Sequence, residues 1–147
     1  MKITTDEMLD AFNEFSNKTA FYQGYGKGKL DELAYLGLGV AGEAGEVADQ
    51  IKKALRIHPI DTGTLQALGA PNLVKLYLEM GDLLWYYSQL MRVIGVDLKD
   101  IMLLNMYKLF LRLKEDGKLT DADWPKDKIS LEYAKFFYES VLQSGVE

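Results

Sequence analysis

The 147-residue sequence has no cysteine and a single histidine, His58. That excludes a disulfide framework and any thiolate or multi-histidine metal site, so a metal held here is hard and oxygen-bound. Positive charge is also short: 17 Lys and Arg stand against 22 Asp and Glu, a net charge of −5. No basic field exists to draw nucleic acid or anionic lipid over the whole surface. No run approaches the ~20 apolar residues that span a bilayer, and the start MKITTDEMLDAF lacks the apolar segment of a signal peptide. A cytoplasmic setting, with no membrane and no nucleic acid as partner, is the expectation. Proline is scarce as well: Pro59, Pro71 and Pro125 leave 1–58, 72–124 and 126–147 free of that helix breaker.

With 48% hydrophobic and 27% charged residues, the chain has the profile of one globular domain over 1–147. The patterning is helical throughout, with no strand-like alternation and no internal repeat. A first helix starts near Thr4 or Thr5, with Thr4 and Glu7 spaced as a capping box and Met8, Phe12 and Phe15 on one stripe, and stops around Asn17. "YQGYGKGK" (22–29) reads as a mobile loop. Helical spacing resumes over 30–56 through Leu33, Leu36, Val40, Val47, Ile51 and Leu55. A connector over 58–72 is expected to hold one short turn at 64–68, followed by an apolar helix over 73–94 with Leu76, Leu83, Tyr87, Leu90 and Ile94 along its buried stripe. Asp97 caps the next helix, which reaches about Glu115 and stops at Gly117; the last begins after Ser130. The predicted class is all-α, a four- to five-helix bundle.

Within "GVAGEAGEVADQIKK" (39–53), Glu43 and Glu46 stand in a run of small and apolar residues, and Glu79 and Asp82 in "LEMGDLLWYY" repeat their i, i+3 spacing. Each pair projects from one side of its own helix. The same spacing in Glu7/Asp10 and Asp97/Asp100 belongs to helix starts, where the dipole favours anions. Asp49 has Lys52 and Lys53 within reach, an ordinary surface pairing. Glu43, by contrast, lies on the line of Leu36, Val40 and Val47, and Glu79 lies between Leu76 and Leu83. Buried carboxylates together need a cation or must hold protons. Mg²⁺ meets the need, because it takes carboxylate oxygens and leaves positions for phosphates; a water-filled groove that binds nothing is the alternative. Gly39, Gly42 and Gly45 are poor helix formers but permit a neighbouring helix to approach closely, bringing the two acid pairs face to face.

Asn105, Lys108 and Arg112, at i, i+3 and i+7, form one polar stripe with two positive charges. A triphosphate beside four carboxylates totals roughly −8, which divalent cations, Lys108, Arg112 and Lys53 would bring toward neutrality. Together, "YLGLGVAGEAGEVADQIKKALR" and "LEMGDLLWYYSQLMRVIGVDLKDIMLLNMYKLFLR" resemble the MazG-like nucleoside triphosphate pyrophosphohydrolases, over about 19–114, with the tail of about 118–147 outside the shared motifs.

The resemblance implies a Mg²⁺-dependent enzyme, with Mn²⁺ as a substitute, that cleaves a (deoxy)nucleoside triphosphate to the monophosphate and pyrophosphate and acts in nucleotide-pool control or removal of non-canonical nucleotides. It implies Glu43, Glu46, Glu79 and Asp82 as metal ligands. Lys53, Asn105, Lys108 and Arg112 would face phosphate or sugar, and Glu43 or Glu46 would take the proton of the attacking water. It also implies a homodimer or homotetramer. Tyr22 and Trp85 are candidates for contact with the base; His58 reads as a surface residue. Two other functions fit the residues: a non-catalytic helical nucleotide-sensing or interaction protein, and a phosphoribosyl-ATP pyrophosphohydrolase.

Overall fold

A computed structural model describes residues 3–57 and 69–144. The described residues form five α-helices and no strand: α1 (Thr5–Lys18), α2 (Leu30–Ile57), α3 (Gly69–Ile94), α4 (Leu98–Glu115) and α5 (Leu131–Ser144), with a 3-10 turn at Asp121–Asp123. The fold is all-α. It divides into two compact units, Met1–Gly95 and Val96–Glu147. His58 and the short turn expected at 64–68 lie outside the described residues.

Local rules set most helix ends. Thr4 caps α1 as expected: its hydroxyl accepts from the Glu7 amide at 3.2 Å, while Glu7 Oε2 accepts from the Thr4 amide at 2.8 Å. α3 begins at Gly69, four residues before the expected start, because Pro71 falls within the first turn, where no intrahelical amide donor is required. It ends at Gly95, whose φ of +71° suits glycine.

In the first unit, α2 and α3 run antiparallel: Gly39 meets Tyr86, Glu43 meets Glu79 and Asp82, and Gln50 meets Glu79. α1 packs on α3 through polar groups. The Ser16 and Ser88 hydroxyls are 3.0 Å apart, Gln89 Nε2 donates to Asn17 Oδ1 at 3.0 Å, and the Trp85 indole donates to Thr19 Oγ1 at 2.9 Å. Of the apolar stripe on α1, Met8 is 52% and Phe15 66% exposed and Phe12 is half-buried, while Ser16 is the buried residue. The apolar spacing is real, yet α1 turns its serine face to α3. On α2, Leu36 and Ala54 are buried while Ile51 and Leu55 are exposed; on α3, Tyr87 and Ile94 are exposed too. Of the three glycines expected to permit close approach, only Gly39 does so. Gly42 and Gly45 face open space.

The loop expected to be mobile is fastened instead. Glu32, 1% exposed, accepts from the amides of Gly26 (3.0 Å) and Gly28 (2.9 Å), from the Tyr22 hydroxyl (2.9 Å) and from Arg92 Nη2 (2.5 Å). Positive φ at Gly24, Gly26 and Gly28 lets the chain fold back over this carboxylate. Arg92 also donates to the Tyr22 hydroxyl at 2.8 Å and lies 4.5 Å from the Tyr25 ring centroid.

The second unit has its own core, in which Leu103, Tyr107 and Phe110 of α4 pack with Trp124 and Ala134. Asp97 caps α4 by accepting from the Lys99 amide at 3.0 Å. Gly117 (φ +69°) ends it, and the Lys118 amide returns to the Leu113 carbonyl at 2.8 Å. Trp124 donates its indole N–H to the Ile129 carbonyl at 2.8 Å, which ties the 3-10 turn to the start of α5.

Candidate metal centre

One turn past Gly39 on α2, and one turn before Tyr86 on α3, three carboxylates meet. Glu43, Glu79 and Asp82 each offer an oxygen, and the three oxygens lie within 4.8 Å of one another. Glu43 and Glu79 are half-buried and Asp82 is exposed, so the group opens to solvent at one side. Burial, and then the charges of Asp82, Glu79 and Glu46, push the Glu43 carboxyl above its ordinary range. Such repulsion is what a divalent cation relieves. The donor set is all carboxylate, which suits a hard ion such as Mg²⁺ or Mn²⁺.

Glu46 is not one of the three. At 100° per residue it is rotated about 60° from Glu43 around the helix axis, and it is exposed, though its charge still reaches Glu43. Gln50, seven residues after Glu43, returns to the shared face, and its Nε2 donates to Glu79 Oε1 at 3.3 Å. Sequence reasoning missed this residue, for which the heptad step from Glu43 was the available signal. Lys53 bonds Asp49 at 2.6 Å, and Lys52 pairs with the same carboxylate, as the spacing of the surface pairing predicts. Pairing with Asp49 raises the Lys53 pKa first, with smaller contributions from Glu46 and Glu79.

An aromatic cluster adjoins the acids. A Cβ on residue 39 would stand 2.2 Å from Cδ1 and Cε1 of Tyr86, so glycine is required there if the ring is to lie against α2. The Tyr86 hydroxyl is pushed up to about 12, first by its hydrogen bond with Tyr35, then by burial and the charges of Tyr35, Glu43 and Asp82. It therefore stays a neutral phenol beside the carboxylates. Tyr22 stacks on Tyr35, with centroids 5.0 Å apart and rings 22° from parallel, and meets Trp85 edge-on at 6.2 Å. Trp85 in turn meets Tyr86 edge-on at 5.0 Å. Tyr22 and Trp85, the two aromatics expected to contact a base, thus belong to one cluster with Tyr35 and Tyr86.

Asn105, Lys108 and Arg112 lie on α4 in the second unit. All three are exposed, on the face turned away from Leu103, Tyr107 and Phe110.

Comparison with known proteins finds one protein family and a phage relative. The MazG nucleotide pyrophosphohydrolase domain matches residues 32–115, which hold all three carboxylates and the α4 stripe. The chain is also similar to the Gene 37 protein of Mycobacterium phage L5, 32% identical over 102 residues, covering 69% of this chain and 84% of that protein. No solved structure matches it. Among the described residues, no helix is long and apolar enough to cross a membrane. With more than half its length matched and its acidic residues converging across α2 and α3, the chain belongs to the MazG nucleotide pyrophosphohydrolase family.

Proposed function

We propose that the protein hydrolyses a nucleoside or deoxynucleoside triphosphate between the α- and β-phosphates in a Mg²⁺-dependent reaction, releasing the monophosphate and pyrophosphate. The observation that carries this reading is the convergence of Glu43, Glu79 and Asp82 within 4.8 Å in a chain of the MazG family. Bound by these three carboxylates, a divalent cation supplies positive charge against the phosphate oxygens. Glu46 stands beside the three acids but outside their group, and we assign it to accept the proton of the attacking water while Glu43 remains a ligand. Lys108 and Arg112 are assigned to the charge developing on the departing pyrophosphate, with Asn105 on phosphate or sugar; their support is the sequence stripe and the family match. Removal of surplus or non-canonical nucleotides is the cellular role this chemistry serves.

A homodimer or homotetramer is also proposed. Its support is the apolar surface left open in the first unit, where Leu38, Val74, Tyr77, Leu78 and Met80 are all more than half exposed. Gel filtration giving only a 16.6 kDa species at working concentration would refute it.

The test of function is pyrophosphate release from the common dNTPs and NTPs, several modified nucleotides and phosphoribosyl-ATP, with Mg²⁺ and with EDTA. Release from at least one triphosphate, abolished by EDTA and by Asp82→Asn, is expected. No release from any substrate overturns the reading, and release from phosphoribosyl-ATP alone redirects it.

A further inference from the structure

The group that touches Glu79 from α2 is a neutral amide, although a lysine stands close by. Gln50, half-buried and seven residues after Glu43, comes back to the face of α2 that meets α3, and its Nε2 donates to Glu79 Oε1 at 3.3 Å. Lys53, three residues further on, is within electrostatic reach of Glu46 and Glu79, yet it bonds Asp49 Oδ2 at 2.6 Å while Lys52 takes Oδ1 of the same carboxylate. Asp49 thus engages the lysine, and the amide is left against the acid.

Neutrality has a consequence for the site. An ammonium bonded to Glu79 would offset the negative charge that Asp82, Glu79 and Glu46 press on Glu43, and would compete with a metal ion for the same oxygens. An amide adds no charge. What it does is occupy one oxygen: with Oε1 accepting from Gln50, Oε2 is the Glu79 oxygen without this bond.

Divalent cations differ in what they ask of a carboxylate. Mg²⁺ demands a near-ideal octahedron at about 2.0–2.1 Å and keeps several waters, whereas Ca²⁺ accepts six to eight oxygens at about 2.3–2.6 Å and often takes both oxygens of one carboxylate. A ligand with one oxygen already bonded serves the first ion and handicaps the second.

Resting on the metal-dependent function proposed above, we infer that Gln50 is a positioning residue that sets which ion the three carboxylates accept: by holding Oε1 it limits Glu79 to one oxygen for the metal, favouring Mg²⁺ or Mn²⁺ over Ca²⁺. The residue acts through Glu79 and is not itself a ligand.

Electron paramagnetic resonance of free Mn²⁺, with Ca²⁺ added as competitor, reads both affinities on the full chain without nucleotide. Gln50→Met removes the donor at nearly the same length and keeps a good helix former. It is expected to weaken Mn²⁺ about 10-fold and to leave Ca²⁺ within about 2-fold, so the preference for Mn²⁺ falls about 10-fold. Gln50→Lys restores a donor and adds a charge: both ions should weaken, with the preference back within about 3-fold of wild type. Disruption of α2 would lower both affinities together and leave the preference where it was. Equal changes for the two ions in Gln50→Met, no change, a preference that rises, or a preference not regained in Gln50→Lys overturns the inference, as does a wild-type protein that binds neither ion. Since no nucleotide is present, hydrolysis can fail while this selectivity stands, and an active enzyme can lack it.

Discussion

Replacing Glu32 by glutamine removes one charge from the best-connected carboxylate of the first unit. Burial alone would push this carboxyl up. The Arg92 guanidinium, the Gly26 amide, the Tyr22 hydroxyl and the Gly28 amide together outweigh it and bring the pKa down to about 2 from an ordinary 4.5. A depression of that size corresponds to about 3 kcal/mol of stability. Because the folded-state pKa lies below the unfolded one, the contribution is fully present above about pH 4.5 and is lost as pH falls toward 2. Glutamine also turns an N–H₂ toward donors and leaves Arg92 partly buried without its counter-charge, so ~3 kcal/mol at pH 7 is the expected loss. Urea unfolding followed by far-UV circular dichroism, at intervals from pH 7 to pH 2.5, measures it. The difference between wild type and Glu32→Gln should be largest at neutral pH and shrink below pH 4.5. A variant within 0.5 kcal/mol of wild type at pH 7, or a difference that does not change with pH, would refute the reasoning.

Three further outcomes follow from the same contacts. Gly42→Ala, facing open space, should stabilise α2 by about 1 kcal/mol, whereas Gly39→Ala, forced against the Tyr86 ring, should destabilise by about 1–2 kcal/mol after the helix gain is set against overpacking; urea midpoints of the two variants should move in opposite directions. Without metal, the raised Glu43 carboxyl gives a stability contribution present at low pH and lost as pH rises through its folded-state value. Glu43→Gln should therefore raise the melting temperature in EDTA at pH 8 and abolish the rise that Mg²⁺ produces in the wild type, as differential scanning fluorimetry would report. Glu46→Gln should lower kcat at least about 100-fold while retaining metal affinity, and Glu43→Gln should lose both; Mn²⁺ binding followed by electron paramagnetic resonance separates the two roles.

Features governed by adjacent residues could be read before folding. Thr4 with Glu7, Asp97 before α4, and Gly95 and Gly117 after their helices each act within a turn or two of chain, and each behaves as its local chemistry requires. The acids of α2 and α3 were legible for a related reason, since i, i+3 spacing fixes a face whatever lies across from it. What lies across is a tertiary matter. Met8 and Phe15 have helical apolar spacing yet stay exposed, because the polar groups Ser88, Gln89 and Trp85 Nε1 of α3 select the Ser16 face of α1. Glu32 looks like any acid in a first helical turn; only the fold brings Arg92, 60 residues away, and the glycine amides to it. The three glycines of α2 look alike in sequence, and the position of one ring, that of Tyr86, separates Gly39 from the other two.

The reaction proposed for this site is cleavage of the α–β phosphoanhydride, with the three clustered carboxylates required. Phosphorus NMR of a reaction with the best triphosphate and Mg²⁺ tests it most directly. Resonances of a nucleoside monophosphate and pyrophosphate should grow together in equal amounts, with neither product from Glu79→Gln or in EDTA. A diphosphate with orthophosphate, or unchanged turnover by Glu79→Gln, would contradict it.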